Sequence, residues 1–143
     1  MNVKSYKCLP KYIVRQMMPD LVWTHFEVVD DQEKYFCFFD DDNKFVGAMF
    51  VRFECFEFQG DALTFTVYID KFEVAYKRRG EGWGKKMFNW LIDTYPISAV
   101  TLCHVLEEKD GGSSYRWWKH MGFHKPNRLY SQMYKRIPVK HRS

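Results

Sequence analysis

The sequence predicts a mixed α/β fold in which mostly antiparallel strands are followed by a β-α-β unit. Three observations carry this expectation. Leu63 to Asp70 alternates strictly, with Leu63, Phe65, Val67 and Ile69 on one side and Thr64, Thr66, Tyr68 and Asp70 on the other, the pattern of a half-buried strand. Gly82 to Tyr95 places Trp83, Met87, Phe88, Leu91, Ile92 and Tyr95 on one helical face, opposite Lys85, Lys86, Asn89 and Asp93. Ala99 to Leu106 is apolar and rich in strand-forming residues. A helix between two strands makes them a parallel pair.

The other elements follow in chain order. Lys4 to Cys8 reads as a short first strand, and Pro10 opens a helix over Lys11 to Met18. Lys34 to Phe39 and Phe45 to Phe53 are strands, joined through the turn composition Asp40-Asp41-Asp42-Asn43 as a hairpin. That acidic cluster lacks the spaced ligands and closing Glu of a calcium loop, so it reads as a solvated turn. After Ile69 the apolar parity changes to Phe72 and Val74, which predicts a β-bulge near Asp70-Lys71, the alternative being a strand that ends at Asp70. Pro96 stops the long helix, Glu107 to Gly112 is a polar loop, Ser113 to Met121 is a short helix ended by Gly122, and Arg128 to Ile137 is a last strand.

Composition bounds the class. The chain of 143 residues is expected to form one domain, residues 1–143, with 46% hydrophobic residues, too many for a disordered chain. Phe, Tyr and Trp reach 19%, so a core or cleft must be rich in rings. The net charge of +4 suits a polyanionic ligand but is too small to indicate nucleic acid by itself. No apolar leader opens the chain and no run approaches the length of a membrane span. Cys8, Cys37, Cys55 and Cys103 are scattered without a CxxC pair, which argues for reduced thiols in a cytoplasmic protein and against a metal site. His120 and His124 stand four apart, but Gly122-Phe123 breaks the helix between them.

The most informative segment is Val74-Ala75-Tyr76-Lys77-Arg78-Arg79-Gly80-Glu81-Gly82-Trp83-Gly84-Lys85-Lys86. It leaves a strand, turns through three glycines and opens a helix. The first N–H groups of a helix lack internal partners, and with the positive end of the dipole they make an anion site. Lys77, Arg78, Arg79, Lys85 and Lys86 add positive charge. A tight turn with a solvated basic face is the competing reading. The spacing Gly80-x-Gly82-x-Gly84 fits neither the dinucleotide fingerprint nor the P-loop.

Arg79-x-x-Gly82-x-Gly84 between strand and helix resembles the acetyl-CoA signature of the GNAT (GCN5-related N-acetyltransferase) superfamily. Ser114-Tyr115-Arg116-Trp117-Trp118-Lys119-His120-Met121-Gly122-Phe123 resembles that family's A-x-x-F-Y-x-K-x-G-F block, and Phe45-Val46-Gly47-Ala48 fits its second or third strand. The resemblance runs from about Tyr35 to Ile137. It implies a mostly antiparallel central sheet with an acyl-CoA-binding β-α-β unit and a splayed parallel strand pair. It also implies acetyl-CoA as co-substrate. The pyrophosphate would rest on Arg79, Gly80, Glu81, Gly82, Trp83, Gly84 and Lys85, and the pantetheine arm on backbone groups of Phe72, Glu73 and Val74.

The reaction implied is direct attack of a primary amine on the thioester. A lysine-like ammonium, with a pKa of about 10.4, must first lose a proton. Glu73 is the candidate base, weighed equally as a solvent-facing strand carboxylate; Asp70 and His104 rank lower. The Val74 N–H is the candidate oxyanion donor. The acid that protonates the leaving sulfur is often a tyrosine in this family, and the aligned residue here is Trp118, whose indole cannot give up a proton at neutral pH. Tyr115, one turn earlier, is the substitute candidate. Trp117 and Trp118 otherwise read as core or pocket wall, and Cys103 as a small buried filler rather than an acyl acceptor. The departure at Trp118 and the short chain keep open an inactive GNAT-fold binding module; an open cleft left by a short N-terminal region, with the positive charge balance, keeps open an acetyltransferase acting on a protein lysine, aminoacyl-tRNA or nucleobase. The acceptor is not legible, and a homodimer is an open alternative to a monomer.

Overall fold

The structure is a computed structural model that describes residues 1–6, 32–59, 62–103, 114–125 and 132–138. The helix expected over Lys11 to Met18, the loop from Glu107 to Gly112 and His104 lie outside these residues. Six strands are described: β1 (Asn2–Tyr6), β2 (Glu33–Phe39), β3 (Phe45–Gln59), β4 (Ala62–Val74), β5 (Ile97–Cys103) and β6 (Gln132–Arg136). Two helices accompany them, α1 (Trp83–Thr94) and α2 (Ser114–His120), with a 3₁₀ turn at Tyr76–Arg78. The strands are hydrogen-bonded neighbours in chain order, β1 through β6. The β4–β5 pair is parallel, while β1–β2, β2–β3 and β5–β6 are antiparallel. This is the mixed sheet with a β-α-β unit that the sequence predicts.

The chain separates into two compact units, Met1–Arg52 with Asp70–Thr94, and Phe53–Ile69 with Tyr95–Ser143. In the first, strand alternation sorts the β2–β3 rings onto two faces. Tyr35, Cys37, Ala48 and Phe50 share one face with Ala75, and the Tyr35 and Phe50 rings stack at 4.3 Å. Phe36 and Phe38 occupy the other, where Trp90 of α1 meets them edge-on at 5.0 and 5.3 Å. Trp90 was not on the apolar face expected of this helix; Gly84, Met87, Phe88 and Leu91 form its buried stripe, and Trp83 is only half-buried. The hairpin closes as expected, with the Asp40 N–H donating to Lys44 O at 2.9 Å and Asn43 at φ 60°.

β4 differs from expectation in one respect. It runs unbroken to Val74, which removes the alternative that it ends at Asp70. Val67, Ile69 and Glu73 of one parity are buried, as is Thr64 of the other. The expected parity change followed the apolar side chains of Phe72 and Val74, which are only half-buried. A register shift against β5 lies at Phe65/Thr66, where Ser98 stands between two paired positions and its hydroxyl donates to Phe65 O at 3.2 Å; the described pairing does not reach Asp70-Lys71, where the bulge is expected. The described β4–β5 pairing runs from Phe65 to Ile69, and the division between the two units falls directly after Ile69.

The second unit carries its own ring cluster, with Phe53 against Phe65 at 5.9 Å and against Tyr95 at 4.9 Å. α2 ends in a two-bond cap: Phe123 N–H donates to Trp118 O and Gly122 N–H to Lys119 O, each at 3.0 Å, with Gly122 at φ 93°. These are the paired bonds of a Schellman motif, and the ring contact that accompanies it is Trp118 on Phe123 at 5.0 Å.

Candidate functional site: the glycine turn after β4

The turn between β4 and α1 is built by residues that cannot continue either element. After Val74 the chain makes one further sheet bond, Ala75 N–H to Val46 O at 2.8 Å, and then tightens into the 3₁₀ turn with Arg78 N–H on Ala75 O. Gly80 and Gly82 follow at φ 80° and 83°, the left-handed region that favours glycine. Among the described residues, a Cβ at either position would meet nothing within 4 Å. Crowding by these residues therefore does not explain the two glycines; the backbone path does. α1 begins at Trp83 with no acidic residue in its first turn, so no carboxylate of the helix competes for its positive end.

The charges around the turn are arranged more specifically than the basic run suggests. The Arg78 guanidinium donates to Asp40 Oδ2 at 2.9 Å and to Glu81 Oε1 at 3.2 Å. The Trp83 indole N–H donates to the same Glu81 oxygen at 3.0 Å. The Trp83 ring carries Lys86 Nζ at 4.4 Å and the Arg78 guanidinium at 5.5 Å. Arg79 turns back onto the strand, donating to Glu73 Oε1 and to Val74 O, both at 3.3 Å. Two of the five cations counted from the sequence are thus engaged by carboxylates. Glu81 is held below its ordinary carboxylate range by the Trp83 indole first and Arg78 second.

Glu73 is not the solvent-facing carboxylate that was one of its two expected readings. It is 4% exposed, on the buried side of β4 with Ala75, and ion-paired to Arg79. The structure thus brings together Phe72, Glu73, Val74 and the run from Arg79 to Lys85 within one unit. Tyr115 belongs to the other unit, half-buried on α2, with Lys119 and Lys125 ammonium groups 5.9 and 5.8 Å from its ring centre. Trp118 is core as expected, 6% exposed between Trp117 and Phe123. Burial pushes the Cys37 thiol up to about 12, which makes it inert. The Cys103 side chain lies outside the described residues. Sequence reasoning missed Asp40 and Lys71. Asp40 was dismissed with its acidic turn, and only its distance of 38 positions from Arg78 hid the pair. Lys71 is lowered from its ordinary value by burial, which outweighs the opposing charge of Asp70. Among the described residues no group of three His, Cys, Asp or Glu is placed to hold a metal, and no helix is long and apolar enough to cross a membrane.

A six-stranded, mostly antiparallel sheet, a β4-α1-β5 unit with one parallel pair and a left-handed glycine turn at the helix entrance together define the GNAT fold, and the chain has that fold. No protein-family model matches the sequence, and no curated protein matches it. The likeness is carried by solved structures. The KacTA–DNA complex aligns with a TM-score of 0.55 at 15% identity, over 75% of this chain and 69% of that one. A mutant AtaT toxin bound to the C-terminus of the antitoxin AtaR and acetyl-CoA aligns with a TM-score of 0.52 at 14% identity, over 73% and 67%. Tetrahymena GCN5 aligns with a TM-score of 0.53 at 13% identity, over 78% and 72%. At 13–15% identity these likenesses show the fold.

Proposed function

We propose that this chain is a cytoplasmic, single-domain N-acetyltransferase that takes acetyl-CoA as co-substrate and acetylates a primary amine. The observation that carries the reading is the turn of Gly80 and Gly82, left-handed, open, and set at the start of α1. Such a turn offers backbone N–H groups to a pyrophosphate, and the AtaT structure with acetyl-CoA supports that ligand for this fold. Pantetheine then runs along Phe72, Glu73 and Val74.

In the transfer step the neutral amine attacks the thioester carbonyl carbon. The C–N bond forms, the C–S bond breaks, and the Val74 N–H steadies the oxyanion between them. Glu73 accepts the amine proton, directly or through water. Its partner Arg79, 3.3 Å from Oε1, holds the carboxylate in place. Tyr115 gives a proton to the leaving sulfur and recovers one from solvent. Trp118 takes no part, because its side chain serves the α2 cap. The test is a thiol-release assay with acetyl-CoA and a panel of small amines, lysine peptides and aminoacyl-tRNA. Amine-dependent CoA release supports the reading. Tight acetyl-CoA binding without release on any acceptor favours a second reading, a GNAT-fold binding module, for which the burial of Trp118 in place of an accessible tyrosine is the supporting observation.

A further inference from the structure

A turn with two left-handed glycines has a wide choice of conformations, and no described residue lies within 4 Å of where a Cβ would stand at Gly80 or Gly82. What borders the turn is a chain of polar contacts that begins far away in sequence. Asp40 uses its two oxygens for different tasks. Oδ1 accepts the N–H groups of Asp42 and Lys44, each at 2.9 Å, and so fixes the β2–β3 hairpin. Oδ2 accepts from Arg78 at 2.9 Å. Arg78 passes the connection to Glu81, between the two glycines, and Glu81 accepts the indole N–H of Trp83 at the helix start. The hairpin turn, the 3₁₀ turn, the glycine turn and the first residue of α1 are tied in series.

We propose that Asp40, acting through Arg78 and Glu81, is the positioning residue that holds the glycine turn in its anion-receptive conformation. The inference rests on the proposed acyl-CoA site and deepens it. Asp40 touches no ligand; the hairpin it organises is a rigid post to which the turn is moored. Arg78 is therefore a brace rather than a phosphate ligand, and Glu81 is kept off the anion site by the same contacts.

Asp40→Asn isolates this role, because the amide oxygen can still accept from Asp42 and Lys44 while the amide nitrogen cannot accept from Arg78. Three measurements on the full chain decide. Backbone ¹⁵N relaxation without ligand should show the Gly80–Gly84 amides gaining fast motion in Asp40→Asn and in Arg78→Gln, with Asp42 and Lys44 unchanged. Calorimetry with CoA should show affinity reduced about 3–10-fold in each variant, and the double variant no worse than Arg78→Gln alone, since losing Arg78 already cuts the series on both sides of it. Steady-state kinetics of the variants should show the KM for the amine at the parent's value and that for acetyl-CoA raised. Unchanged relaxation in both single variants overturns the inference, as does additive loss in the double variant. A parent that binds no CoA overturns the proposed function instead, and the relaxation result still decides whether Asp40 holds the turn.

Discussion

Two segments carry the sequence resemblance to the GNAT pattern, and each turns on a glycine with positive φ, yet their surroundings differ. Around Gly80 and Gly82 no described residue occupies the space where a side chain would stand. Around Gly122 it is filled: an added Cβ would lie 3.1 Å from Lys135 Nζ, and that ammonium donates to Met121 O at 2.7 Å to finish the α2 terminus. The second turn serves the chain's own cap, and the first is the one we propose to serve a ligand. A left-handed glycine alone therefore does not mark a site; its surroundings decide whether the backbone is offered to a ligand or spent on a cap.

The largest effect should come at neither glycine but at the carboxylate beside the first turn. Glu73→Gln keeps the shape and an acceptor for Arg79 but loses the base. Turnover should fall about 10²–10⁴-fold with CoA affinity intact, and the deficit should shrink as pH rises and more amine arrives neutral. Steady-state kinetics between neutral and alkaline pH would measure this; a variant within about twofold of the parent at neutral pH would assign the buried pair with Arg79 a purely structural role.

The glycines should then separate cleanly. Valine cannot hold φ 83° without strain, so Gly82→Val should turn the backbone donors away from the pyrophosphate and weaken CoA binding by about 10–100-fold, the value of one or two hydrogen bonds to a charged group. Gly122→Val should leave CoA affinity alone and lower folding stability by about 1–3 kcal/mol from backbone strain, with crowding of Lys135 in addition. Calorimetry and thermal melts on both variants give the comparison.

Two smaller effects sharpen it further. Trp118→Phe preserves a ring on Phe123, so turnover should stay within about threefold, whereas Tyr115→Phe removes the proposed acid and should cost more. A large loss of turnover in Trp118→Phe with normal CoA binding would contradict its assignment to the cap. At the other segment, Asp40 is held below its ordinary 3.8 by the Lys44 N–H first and the Arg78 guanidinium second. A carboxylate lowered on folding adds stability that is full above its unfolded value and lost as pH falls through its folded one. Asp40→Asn should therefore be less stable than the parent at neutral pH, and the two should converge as pH drops below about 4. Denaturant midpoints across that range would show it.

Much of this was legible in the sequence, and what was not has identifiable causes. The alternation of Leu63 to Asp70 and the stripe of α1 depend on local period, which burial preserves. The glycine turn was visible because its backbone demands particular residues. Trp83 left the expected stripe because two cations and a carboxylate hold its indole at the surface, a competition that periodicity does not register. The buried parity of β4 was misjudged at Glu73, since an ion pair to Arg79 buries a carboxylate that hydropathy assigns to water. The Gly122-Phe123 block was read through its place in a family pattern. The structure adds the physical reason, paired cap bonds with Trp118 on Phe123. Asp40 escaped because its partner is brought near by the sheet and not by the chain.

The central claim is that the turn from Gly80 to Lys85, and not the α2 cap, receives the anionic end of acyl-CoA. Titrating CoA into ¹⁵N-labelled protein and following the amide resonances tests it most directly. The account predicts large, saturating shifts of the Gly80, Gly82, Trp83, Gly84 and Lys85 amides, with Met121, Gly122 and Phe123 nearly still. Saturable binding that moves the Met121–Phe123 amides and leaves the glycine turn unchanged would contradict it.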